Sequence, residues 1–177
     1  MPTTPIPGRP APALSVPLID GHRWTLSERS PEAFAMIVFY RGRHCPICLD
    51  LLGELKADLP AWLELGMDVV AVSMDDEDRA RDVHEGWDGR EGLSPLALGH
   101  SMDRATAEAW GLWLSSSRAE KEPPLFSEPG LAWVKPDGTL WLMEAASTPF
   151  VRPDMAALRS RVGFIRDNAY PPRGMAS

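Results

Sequence analysis

The sequence predicts an α/β layer sandwich around a mixed β-sheet, with helices on both faces. Three observations predict it. The continuous apolar run Ala35-Met36-Ile37-Val38-Phe39-Tyr40 reads as a central strand covered on both faces. A helical period follows, in which Cys48, Leu51, Leu52, Leu55, Leu59, Trp62 and Leu63 recur at spacings of three and four, and then a second apolar run over 67–73. Strand, helix and strand in that order imply a parallel pair joined by a crossover. Further on, Lys135-Pro136-Asp137-Gly138 separates the runs 130–134 and 139–143, a strong antiparallel hairpin signal.

The remaining elements fit around this frame. Residues 14–19 read as a short strand ended by the Asp20-Gly21 turn, and 24–26 as its hairpin return. Residues 41–44 form a loop. Pro60 is expected to kink or interrupt the long helix, and Gly66 to stop it. Residues 75–84 read as a polar surface helix, 96–98 as a short edge strand, and 104–110 as a helix ended by Gly111. The stretch 115–127 shows no period and reads as a mobile loop. Asp154 is placed to cap a last helix running to about Asn168, with Met155, Leu158, Val162 and Ile165 on one face. Trp24, Trp133 and Trp141 are expected in sheet packing. Trp110 and Trp113 are expected in the core, with a substrate wall or dimer face as the alternative. The polar stretches 75–78 and 85–91 read as solvated surface.

A chain of 177 residues, 44% hydrophobic and 24% charged, suits one domain over 1–177, with a flexible proline-rich start at 1–11. A net charge of −7 argues against nucleic acid and against an anionic membrane surface. No run of 18 apolar residues is present, and the first residues lack a basic segment followed by an apolar one. The protein is therefore expected in the cytoplasm, where disulfides are transient.

The two cysteines lie three apart, in Cys45-Pro46-Ile47-Cys48. Random placement gives that spacing in roughly 1% of such chains. The motif follows a buried strand and opens an amphipathic helix. There, unpaired N–H groups and the macrodipole favour a thiolate. Pro46 suits the first helical turn. Cys45 is expected as an exposed nucleophile, and Cys48, on the apolar stripe, as the buried resolving thiol. Arg41, Arg43 and His44 precede Cys45 closely, and Arg41 or His44 is expected to favour its ionised form. The histidines at 22, 84 and 100 have no zinc-finger spacing, so neither a metal nor another cofactor is expected.

These residues resemble the thioredoxin-like superfamily, in particular the peroxiredoxin-like alkyl hydroperoxide reductase/thiol-specific antioxidant (AhpC/TSA) family. Residues 12–27 resemble its N-terminal hairpin and 39–48, Phe-Tyr-Arg-Gly-Arg-His-Cys-Pro-Ile-Cys, its active-site strand and helix start. Residues 128–138 resemble its later hairpin, and Tyr170-Pro171-Pro172-Arg173-Gly174 the tail of one subgroup. The resemblance implies a thioredoxin-like three-layer sandwich with an N-terminal β-hairpin extension. It implies Cys45 and Cys48 as catalytic, with Tyr40, Arg41, Gly42, His44, Pro46, Glu128 and Pro129 supporting them, and Pro129 as a cis-proline facing the pair. The family's proline and threonine before the nucleophile are Val38 and Gly42 here, and Arg118 is the nearest candidate for its downstream arginine. The implied partners are a peroxide or disulfide substrate, a thioredoxin- or glutathione-type reductant, and a second copy in a homodimer. Three functions stay open: a thiol peroxidase, a thioredoxin-type disulfide oxidoreductase, and a slow redox sensor or binding module.

Overall fold

The chain's fold is set by one strand that is buried along its whole length. In a computed structural model describing residues 4–88 and 95–175, this strand is β3 (Ala35–Phe39), after a hairpin of β1 (Ser15–Pro17) and β2 (Arg23–Thr25). β3 alternates its side chains between two cores. Met36, Val38 and Tyr40 enter one, with Cys45, Cys48, Leu52, Leu55 and Trp133. Ala35, Ile37 and Phe39 enter the other, with Val16, Trp24, Val70 and Trp110. The period-2 geometry of a strand thus makes three layers out of one apolar run.

Helix α1 (Pro46–Glu64) leads from β3 to β4 (Asp68–Val72), which lies parallel to β3 with Met36 opposite Val69. Then come α2 (Glu77–Asp88), β5 (Ala97–Gly99), α3 (Arg104–Ala109), β6 (Leu114–Ser116) and β7 (Leu125–Ser127). The antiparallel hairpin β8 (Gly130–Val134) and β9 (Leu140–Ala145) completes a sheet of order β5-β4-β3-β8-β9. β3 is therefore central, parallel to β4 and antiparallel to β8, with Met36 opposite Trp133. The mixed sheet and the β1–β2 extension match the expected sandwich. No helix is long and apolar enough to cross a membrane, among the described residues.

Several local expectations need correcting. Pro60 does not break α1, which runs through it. Its ring sits on the solvent side, while Leu52, Leu55, Leu59 and Trp62 hold the opposite stripe in the core. The stretch 115–127 is not a free loop: β6 and β7 pair antiparallel, with Ser115 opposite Phe126. Strands of three residues, anchored inward mainly by Phe126, are too short to show a period. The proline-rich start is tied to the β8–β9 turn. Gly8 N–H donates to the Leu140 carbonyl (2.7 Å), Ala11 N–H to Gly138 (2.9 Å) and Leu140 N–H to Arg9 (2.9 Å).

The last helix is two, α4 (Met155–Arg159) and α5 (Val162–Asp167). Ser160 Oγ donates back to the Ala157 carbonyl (2.7 Å), a local bond that competes with helix continuation. Trp110 is fully buried, whereas Trp113 is 53% exposed, so only the first is a core residue. Of the polar stretch 85–91, residues 89–91 lie outside those described.

The start of α4 gives a simple test. Asp154 caps it, accepting from the Ala157 N–H at 2.8 Å. Asp154→Ala is expected to lower stability by about 1 kcal/mol, read as a shift of the urea midpoint with unchanged slope.

Candidate active site

The end of β3 delivers the chain into a tight loop. Gly42 has φ +128, and a side chain there would strike Asp75, whose carboxylate oxygens lie 2.6 Å from an ideal Cβ position. Asp75 is buried and holds the loop from outside. It accepts from the Arg43 N–H (2.6 Å) and from Arg79 Nε (3.1 Å). Cys45 N–H then donates to the Gly42 carbonyl (3.1 Å), and Cys45 becomes the N-cap of α1, with Pro46 in the first turn.

In that position the Cys45 sulfur accepts from the Cys48 N–H at 3.3 Å. Sulfur here does what a serine or aspartate oxygen does at other helix starts. Its pKa is lowered from 9.0 to about 6. The largest cause is a hydrogen bond from the Cys48 thiol, opposed by burial and aided by the Cys48 N–H and the Arg41 guanidinium. Cys48 moves the other way: its bond to Cys45 and its burial push its pKa far up. One sulfur is thus ionised near neutral pH while the other keeps its proton. The expected exposure is not found. Cys45 is 2% exposed and Cys48 0%. The cap bond turns the Cys45 side chain back over the helix end, which takes it off the surface.

The predicted neighbours fall into three groups. Arg41 lies close to Cys45 and is paired with two carboxylates. Its Nε is 3.2 Å from Glu128 and its terminal nitrogen 3.6 Å from Glu122, and it stacks 4.7 Å above the Phe126 ring. Ser115 Oγ fixes Glu128 from behind (2.7 Å). His44 contributes no charge. Burial first, and Arg41 second, lower its pKa, and its ring meets Phe126 edge-on at 4.6 Å. Both its nitrogens are buried without a hydrogen-bond partner. Arg43 points away, to Asp82 (2.8 Å). Tyr40 is wholly buried, and burial raises its pKa, with Ser73 opposing.

Pro129 corrects an expectation. Its peptide bond is trans, since no described residue has a cis bond. The Pro129 carbonyl accepts from Ala146 N–H (2.9 Å), extending the β8–β9 ladder by one rung, which an extended trans link provides. Arg118 is exposed, and its N–H binds Glu122 (2.6 Å). The arginine that reaches the sulfurs is Arg152, 2.8 Å from Cys48 Sγ and 4.0 Å from Cys45 Sγ. A narrow pocket of about 10 Å³, room for one water, lies beside it and is lined by Val38, Leu51, Pro129, Leu131 and Met155.

Sequence reasoning missed Arg152, Asp75, Glu122 and Phe126. Arg152 lies 107 residues beyond Cys45, and its only local signal is its place between Pro149 and Pro153 before a helix cap.

The sequence profile described as the AhpC/TSA family matches residues 7–143. Among solved structures, the chain superposes on a Peroxiredoxin 6 of Arenicola marina with TM-score 0.74 at 14% identity, covering 93% of this chain and 74% of that one. A reduced 2-Cys peroxiredoxin of Plasmodium vivax gives 0.73 at 12%, covering 94% and 85%. The peroxidoxin BcpB of Mycobacterium tuberculosis gives 0.67 at 12%, covering 93% and 97%. Comparison with curated protein sequences found no match. A profile match over most of the chain, on a fold shared with peroxiredoxins, places the chain in the AhpC/TSA family of thiol oxidoreductases.

Proposed function

We propose that this protein reduces peroxides, with Cys45 as the attacking thiolate and Cys48 as the resolving thiol. One observation carries the reading. The Cys45 sulfur is held ionised near neutral pH at the start of α1, beside a protonated Cys48, with both shut away from bulk solvent. A sulfur ionised in this way is a nucleophile suited to a small oxidant such as a peroxide.

The chemistry balances in two steps. The thiolate attacks one peroxide oxygen, the O–O bond breaks, and the leaving alcohol or water takes a proton, leaving Cys45 as sulfenic acid. Cys48 then attacks the Cys45 sulfur, water leaves, and a disulfide forms. A glutathione- or thioredoxin-type thiol restores both cysteines. Arg41, oriented by Glu128 and Glu122, supports the thiolate. Gly42, Pro46 and the Asp75 clamp shape the loop, and His44, Tyr40 and Pro129 wall it. The single domain needs no cofactor for these steps, and dependence on such a thiol reductant suits a cytoplasmic protein.

A second reading keeps one observation in its favour. Gly42 leaves no hydroxyl to orient a peroxide at the position where the family pattern has threonine, and thiol–disulfide exchange needs none. Parallel assays decide between them. Hydrogen peroxide consumption with a dithiol reductant is expected well above that of free thiol, and insulin reduction is expected to be slow. Rapid insulin reduction without peroxide turnover would reverse the assignment. A sensor with an ordinary thiol is disfavoured by the lowered Cys45 pKa.

A further inference from the structure

We propose that Arg152 acts on Cys48, receiving the charge that arrives on that sulfur when a thiol opens the Cys45–Cys48 disulfide. The proposal rests on the thiol-oxidoreductase reading of this cysteine pair, and on geometry that the peroxide step does not use. Arg152 lies 2.8 Å from Cys48 Sγ but 4.0 Å from Cys45 Sγ, so its guanidinium is aimed at the resolving sulfur. Its Nε donates to the Pro149 carbonyl (2.9 Å), and Pro153 and the capping Asp154 follow it directly. The side chain is therefore held in place before any reaction.

The two arginines of the site differ in their free charge. Arg41 is shared between Glu122 and Glu128. Among the described residues no carboxylate lies within ion-pair distance of Arg152, so its charge is undivided. Cys48 is 0% exposed, so a thiolate formed there lies out of reach of bulk solvent. A buried anion without a counter-charge is strongly disfavoured.

In the reductive step a thiolate of the glutathione class attacks Cys45 Sγ, and a mixed disulfide forms there. The Cys45–Cys48 bond breaks, and its electron pair stays on Cys48 Sγ beside Arg152. A second thiolate attacks the outer sulfur of the mixed disulfide, releasing Cys45 as thiolate and joining the two reductant thiols in a disulfide. Cys48 regains its proton from the medium. In the resting reduced state the same arginine donates to the Cys48 sulfur, while the Cys48 thiol donates to Cys45. The charge thus stands ready on the side where the leaving group will appear.

The test uses the full chain oxidised with diamide, so that it does not depend on peroxide activity. Arg152→Gln is expected to slow disulfide reduction by glutathione at least tenfold. The same variant is expected to shift the equilibrium in a glutathione redox buffer toward the disulfide by a similar factor. Arg152→Lys is expected to recover most of both. Alkylation of Cys45 in the reduced protein is expected to change less than threefold. A Gln variant within twofold of wild type in rate and equilibrium overturns the proposal. So does an alkylation loss as large as the reduction loss, which would put the arginine on Cys45. If near-UV circular dichroism shows the Gln variant unfolded, the Lys variant decides alone: a tenfold slower reduction overturns the role of the charge. A wild-type chain that consumes no peroxide yet shows these differences leaves the Arg152 assignment standing while the peroxide reading falls. A chain that forms no Cys45–Cys48 disulfide with diamide ends both.

Discussion

Cys45→Ser is expected to remove thiol-dependent peroxide turnover by at least about a thousandfold, on the order of 4 kcal/mol of barrier. Serine keeps the cap geometry, because its oxygen accepts the Cys48 N–H as the sulfur does, so the fold stays intact. What it loses is the ionised nucleophile. With a pKa of about 6, Cys45 is mostly thiolate at neutral pH, whereas a serine hydroxyl is not ionised there. The pH profile follows with a definite sign. The reactive form is the deprotonated one, so the alkylation rate of Cys45 is flat above neutrality and falls about tenfold per unit as pH drops below about 6. Because the Cys48 thiol is the largest cause of the lowering, Cys48→Ala is expected to move the midpoint upward. Cys48→Ser, which keeps a donor, moves it less. Iodoacetamide titration of the two variants reads the difference, and an unmoved midpoint in Cys48→Ala would place the cause elsewhere.

Gly42→Thr, which writes the family's threonine into this chain, is expected to unfold or severely weaken the protein, by about 3 kcal/mol or more. The backbone there has φ +128, closed to a β-branched residue, and the new Cβ would sit 2.6 Å from both Asp75 oxygens. The carboxylate has no room to swing aside. Its side chain is 0% exposed and bound to the Arg43 N–H and to Arg79. Urea denaturation checks the loss. A Gly42→Thr variant as stable as wild type would mean that the loop readily takes another path.

Much of this architecture was legible in the sequence because its signals are local. The apolar run at Ala35–Phe39, the three-and-four spacing in α1 and the Pro-Asp-Gly turn each declare an element within a few residues. So does the cysteine spacing at a helix start. What stayed hidden depends on remote partners. No local pattern tells that Arg152 returns to the sulfurs, or that Asp75 explains Gly42. The β6–β7 pair was missed because its strands bury little beyond Phe126. The exposure of Cys45 was misjudged because a cap bond from Cys48, not the helix period, decides where that side chain lies.

The order in which the central strand finds its neighbours has a cost during synthesis. β3 meets β4 early, but its other flank is β8, and Arg152 lies 107 residues beyond Cys45. A ribosome-bound chain arrested before β8 emerges therefore carries the strand with a bare edge and both thiols unshielded. Until β8 and Arg152 have emerged, the nascent polypeptide meets the cell's oxidants without the enclosure that later covers both sulfurs.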